Sequence, residues 1–115
     1  MKIVVDLDGT LCHTPETRTE DGRFLEHHYP ECEPYPERIA RVNQLYDEGH
    51  TIVIDTARGA STGLNWLEFT AEQLAGWGVR YHQLRVGVKI GADLYIDDRA
   101  MRPEEFLDDS EQDAT

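Results

Sequence analysis

Lysine is almost absent from this chain: among 115 residues only Lys2 and Lys89 carry an ammonium group. Lys and Arg together number 11 against 23 Asp and Glu, a formal net charge of −12. Nucleic-acid polymers and anionic membranes are bound largely through Lys and Arg contacts to phosphate, so this balance argues against both as partners. No segment approaches the roughly 20 apolar residues that a membrane-spanning helix needs. The start lacks a basic region followed by an apolar block, so no secretory signal is expected and the reading is cytoplasmic. Cysteine is scarce too. Cys12 and Cys32 fall outside any metal-ligand spacing and are expected as free thiols, whether or not the fold brings them near each other. No internal repeat is visible.

What is present suits one compact α/β domain over residues 1–115, at 39% hydrophobic residues. Ile3, Val4 and Val5 are β-branched and uninterrupted by polar residues, which predicts a strand over 2–7 buried on both faces. Residues 9–35 hold scattered prolines and predict an irregular insert, with Asp21-Gly22 as the turn of a short hairpin flanked by 17–20 and 23–26. Such an insert beside a strand end reads as a functional flap. Ile39, Val42, Leu45 and Tyr46 predict a helix over 36–48, with Pro36 in its first turn and Gly49 after its end. A second buried strand follows at 51–55. Leu64, Leu67, Ala71 and Leu74 mark a second helix that ends near Gly76 or Gly78. Residues 81–86 include a third strand, and Leu94-Tyr95-Ile96 is expected as a fourth, ending at Asp97-Asp98. Residues 108–115 read as an acidic, flexible tail.

Strands alternating with helices predict a mainly parallel sheet with right-handed crossovers. Ligands in such sheets bind beyond the carboxyl ends of the strands. Asp6, Asp8, Thr56, Asp97 and Asp98 all fall at such ends. Two carboxylates as close as Asp6 and Asp8 repel unless a cation or a shared proton intervenes. The Thr56 hydroxyl and the N–H groups of Ala57 and Arg58 have the makings of a phosphate nest. Arg58 suits a phosphate or a carboxylate of the insert. Hard oxygen donors of the Asp97-Asp98 kind suit Mg²⁺. His27 and His28 read first as a solvated or packed pair, and second as a lining of the entrance. Trp66 and Trp77 read as packing or an interface.

Asp6-Leu7-Asp8-Gly9-Thr10 resembles the first motif of the haloacid dehalogenase-like (HAD) phosphohydrolases. The strings Ile54-Asp55-Thr56-Ala57-Arg58-Gly59 and Tyr95 to Phe106, with Asp97-Asp98-Arg99-Ala100-Met101-Arg102-Pro103, resemble the small HAD proteins described as capsule-biosynthesis phosphatases. The resemblance implies a three-layer Rossmann-like fold without a large cap domain. It implies Asp6 as nucleophile, Asp8 as general acid/base, Thr56 as the phosphoryl-oxygen ligand, and Lys89 as the neutralising cation. It also implies a Mg²⁺ ion held by Asp6, the Asp8 carbonyl, and Asp98 or Asp97. Where that group often has Gly-Lys-Pro, this chain has Gly87-Val88-Lys89-Ile90, and Arg85 is the alternative cation.

The function so implied is Mg²⁺-dependent hydrolysis of a small phosphate ester, such as a phosphosugar, through an aspartyl-phosphate. A 5′-nucleotidase-type activity is the nearest alternative. A metal- or phosphate-binding regulatory module without turnover is the alternative of another class. With no cap, water must be excluded by the insert, by a second copy or by the substrate, and self-association is favoured over a monomer.

Overall fold

The computed structural model describes residues 1–107, so the acidic tail expected at 108–115 lies outside the described residues. Its strands are β1 (Lys2–Val5), β2 (Cys12–His13), β3 (Glu16–Arg18), β4 (Phe24–His27), β5 (Glu33–Pro34), β6 (Thr51–Thr56) and β7 (Gln83–Val86). Its α-helices are α1 (Pro36–Asp47), α2 (Leu67–Gly76) and the single turn α3 (Pro103–Phe106). The chain is an α/β protein built on a parallel sheet in the order β1-β6-β7.

The central strand explains the burial. β6 is paired on both edges, and Ile52, Val53 and Ile54 are 0, 3 and 0% exposed. An unbroken β-branched run is what a strand covered on both faces requires. β1 differs from expectation. It has one partner, β6, and Val4 is 59% exposed. The segment expected to form a fourth strand does not pair: Leu94, Tyr95 and Ile96 are 73, 49 and 92% exposed and lie outside every strand. An apolar triplet of this length has the composition of a strand, but only ladder pairing makes it one.

The helices end as their sequences predict. After α1, the N–H of Gly49 bonds Tyr46 O and that of His50 bonds Leu45 O; after α2, Gly78 bonds Ala75 O and Val79 bonds Leu74 O. Both are Schellman closures, with the glycine in the left-handed region. In the second, buried Val79 and Leu74 supply the usual apolar contact. The core gathers Leu7, Leu11 and Cys12 from the segment after β1, Ile39, Val42 and Leu45 of α1, Ile52 and Ile54 of β6, and Leu74 of α2.

The segment between β1 and α1 is more ordered than its prolines suggest. β3 and β4 form an antiparallel hairpin, with Glu16 opposite His27 and the Gly22 N–H closing the turn onto Thr19 O. β2 and β5 form a second, shorter ribbon that pairs Cys12 with Pro34. The Tyr35 N–H on Leu11 O ties its base to the core. Among the described residues no helix is long and apolar enough to cross a membrane.

Candidate functional site

β1 stops at Val5, so Asp6 and Asp8 leave the strand and acquire different neighbours. Asp6 stays half-buried at the sheet end. Its Oδ1 is 3.2 Å from Lys89 Nζ, and the Thr10 hydroxyl donates to its Oδ2 at 3.5 Å. Burial is the largest influence on Asp6 and raises its carboxyl above the ordinary range, outweighing the Lys89 ammonium; the Asp8 charge adds to the rise. Lys89 lies beyond β7, and its ammonium also sits 4.9 Å from the Tyr95 ring centre. Arg85, the alternative cation, instead faces Asp55 at 3.6 Å.

Asp8 faces the interior. Arg58 Nη2 donates to its Oδ1 at 2.8 Å and Arg58 Nε to its Oδ2 at 3.0 Å. The Thr14 hydroxyl donates to Oδ1 at 2.5 Å and the Thr56 hydroxyl to Oδ2 at 3.4 Å. Burial, the largest single influence, pushes Asp8 upward, but the Arg58 hydrogen bonds and charge together with Thr14 bring it below the ordinary carboxylate range.

Arg58 itself has no exposed side-chain surface. Its Nη1 donates to Gln73 Oε1 at 2.8 Å and Thr70 Oγ1 at 3.2 Å on α2, and its guanidinium lies 4.5 Å from the Tyr29 ring centre. Gln73 Nε2 donates to Tyr29 O at 2.8 Å, so the β6 loop, α2 and the insert meet on one cation. The turn that aims Arg58 depends on Gly59. At φ +83°, a Cβ there would lie 2.1 Å from Leu64 O, which no L side chain tolerates.

These contacts revise several sequence-based assignments. Arg58 is spent on Asp8 rather than open to a ligand. Thr56 is 1% exposed, and its hydroxyl is shared between the Asp8 carboxylate and the Arg58 N–H. Ala57 sits half-buried between them. Asp97 and Asp98 are exposed, with the Asp97 Oδ1 accepting the Arg99 N–H of its own loop at 2.8 Å. They follow no strand, and the contact that ties their loop to the sheet end is the Tyr95 ring, 4.9 Å from the Lys89 ammonium that meets Asp6. Among the described residues, the donor atoms gathered closely enough for one ion belong to Asp8, Cys12 and Cys32.

The insert supplies a cleft of about 580 Å³ lined by Asp8, Gly9, His13, Thr14, Pro15, Glu16 and His27. The two adjacent histidines therefore part ways. His27 lines the cleft, with its Nδ1 3.9 Å from Glu16 Oε2, whereas His28 Nε2 shares a 2.5 Å hydrogen bond with Thr17. Trp66 packs edge-on to Tyr29 and Phe69, and Trp77 packs against the core. His13, Thr14 and Glu16 carry no sequence signal beyond their place beside Asp8.

No family model and no curated protein matches this chain. A crystal structure of a target protein from Vibrio cholerae is similar, with 35% sequence identity and a TM-score of 0.71 over 93% of this chain and 88% of that one. The two chains belong to one family. The kinship supports the α/β fold with its mainly parallel sheet.

Proposed function

We propose that this protein is a phosphomonoester hydrolase of the HAD-like kind that works through an aspartyl-phosphate on Asp6. The observation that carries the reading is the Asp6–Lys89 contact of 3.2 Å at the end of β1, with a second carboxylate, Asp8, fixed behind it. In a chain with two lysines, one of them meets the first carboxylate of the motif.

Mg²⁺ takes about six oxygen ligands, waters included, in near-octahedral array. The residues expected to hold it would be Asp6, the Asp8 carbonyl, whose carboxylate is separately engaged by Arg58 and Thr14, and Asp97 or Asp98, which are exposed in the loop after Tyr95, and the ion would supply charge neutralisation beside Lys89. The steps themselves belong to the chain's own groups. The Asp6 carboxylate attacks phosphorus in line and the ester oxygen departs with its electron pair. Lys89 offsets the charge that would keep an anionic nucleophile from an anionic ester. The resting Asp8 is held ionised, which suits the second step. There it takes a proton from the water that attacks the phosphoryl group and regenerates Asp6, releasing inorganic phosphate. Protonating a poor leaving group in the first step requires Asp8 to gain a proton first. The cleft beside it, with His13, Glu16 and His27, is where the rest of the ester would lie, and its closure by the 9–35 flap completes this reading.

Turnover of p-nitrophenyl phosphate, phosphosugars and nucleoside monophosphates, with and without added Mg²⁺, tests it. Wild type should release phosphate, with the best substrate separating a sugar-phosphate from a nucleotide preference. Asp6→Asn should lose turnover by more than about a hundredfold. A wild type inactive across the panel, or an unchanged Asp6→Asn, would sink the proposal. The inactive outcome favours the binding module.

A further inference from the structure

Two free thiols from opposite ends of the insert meet beside Asp8. Cys12 Sγ and Cys32 Sγ lie 3.8 and 3.9 Å from Asp8 Oδ1, and the three donor atoms are all within 4.8 Å of one another. The Thr14 hydroxyl oxygen sits among them, 2.5 Å from Asp8 Oδ1, 3.2 Å from Cys32 Sγ and 3.5 Å from Cys12 Sγ. The donors thus already face a common point occupied by one light atom. We propose that Asp8, Cys12 and Cys32 form a binding site for a thiophilic divalent cation of the zinc class.

Zinc binds thiolate sulfur at about 2.3 Å and carboxylate oxygen at about 2.0–2.2 Å. The donors reach those lengths by closing on the Thr14 position by roughly 1 Å. Thr14 then turns away or supplies the fourth ligand. The charges balance: two thiolates and a carboxylate are offset by a dication and by Arg58, whose Nη2 is 3.5 Å from Cys32 Sγ. Asp8 Oδ1 faces the thiols and also accepts from Arg58 Nη2 at 2.8 Å, so an ion there shares that oxygen with the guanidinium, while Oδ2 keeps Arg58 Nε at 3.0 Å. Soft sulfur selects zinc over magnesium. Cys12 is fully buried, whereas Cys32 is half-buried, and Asp8 and Thr14 line the cleft, which gives an ion its way in. Ordinary packing explains a buried Cys12 alone. It does not explain a second thiol and a carboxylate converging with it. An ion on Oδ1 would hold Asp8 away from proton transfer, so zinc should inhibit any turnover that uses Asp8.

The test is a Co²⁺ titration of the reduced full-length chain without substrate, read by the thiolate-to-cobalt charge-transfer band. Wild type should show the band, saturate at one equivalent, and lose it to Zn²⁺ but not to excess Mg²⁺. Cys32→Ser, at a half-buried position, should keep its circular-dichroism melt yet bind more weakly by more than the about 10–100-fold that loss of an outer-shell partner costs. Cys12→Ser should behave likewise, and if it fails to fold, Cys32→Ser decides alone. No band in wild type, or a band that persists unchanged in Cys32→Ser, overturns the site. Because binding is read without turnover, the result is independent of the phosphatase assay.

Discussion

Asp6 and Asp8 are separated by Leu7 alone, yet they belong to two different environments. Asp6 is half-exposed, faces one flexible ammonium, and has its carboxyl raised by burial. Asp8 is held by a guanidinium fork and the Thr14 and Thr56 hydroxyls, and its carboxyl is lowered despite burial. The difference lies in the partners. A lysine offers a point charge on a flexible stem, whereas a buried arginine offers directed donors that complete a carboxylate's hydrogen bonding. The first carboxylate is left with one ammonium and one hydroxyl contact, and the second is held by a fork and two hydroxyls.

That contrast breaks most visibly at Arg58. Arg58→Met should destabilise the fold by about 3–5 kcal/mol, because it strands the buried Asp8 charge. Arg58→Lys should recover only part, since an ammonium cannot reproduce the fork to Asp8 while also reaching Gln73 and Thr70. Urea unfolding measures both, and a loss under about 1 kcal/mol in Arg58→Met would place Asp8 and Asp6 in the same class.

Paired substitutions of the aspartates sharpen the comparison through pH. The folded Asp8 titrates below its unfolded value, so its contribution is complete above the ordinary carboxylate range and is lost as pH falls through the depressed value. Asp6 has the opposite sign: its folded value is raised, so ionising it costs stability that is regained as pH falls through that value. At neutral pH, Asp6→Asn should melt at the wild-type temperature or above it, and Asp8→Asn clearly below it. On acidification, Asp6→Asn should lose stability more steeply than wild type, and Asp8→Asn less steeply. Thermal melts between neutral pH and the acid limit of folding check both signs. Equal slopes in the two variants would remove the distinction.

Much of this was legible in the sequence where the signal is local. The β-branched run of β6, the apolar spacing of α1 with Gly49 behind it, and the Asp21-Gly22 turn all fold as their residues prescribe. The meeting of Lys89 with Asp6 was legible through the resemblance, which implies a lysine that neutralises the first aspartate of the motif. The Arg58–Asp8 clamp was not. Its partners come from residues 8, 29, 70 and 73, and nothing in the spacing tells an arginine which of many acids it will meet. The cysteine pair escaped for the same reason: ribbon pairing of Cys12 with Pro34, not sequence proximity, brings it near Cys32.

The smallest effect concerns the apolar triplet that forms no strand. Val4 is exposed on β1, and Ile96 is 92% exposed in the loop that carries Asp97 and Asp98. Large exposed apolar residues contribute little to stability, so Ile96→Ser should change the unfolding free energy by less than about 0.5 kcal/mol. Burial of Ile96 against the sheet would instead cost about 1.5–3 kcal/mol on removal. A loss of that size would mean that the triplet packs against the sheet, which would reopen the question of where Asp97 and Asp98 lie relative to Asp6. The same measurement on Ile54→Ala, which is 0% exposed in β6, provides the internal scale, with an expected loss of about 2–5 kcal/mol. If the two substitutions cost alike, Ile96 belongs to the core and the contrast between a loosely held Asp6 and a firmly held Asp8 would have to be redrawn around a third carboxylate.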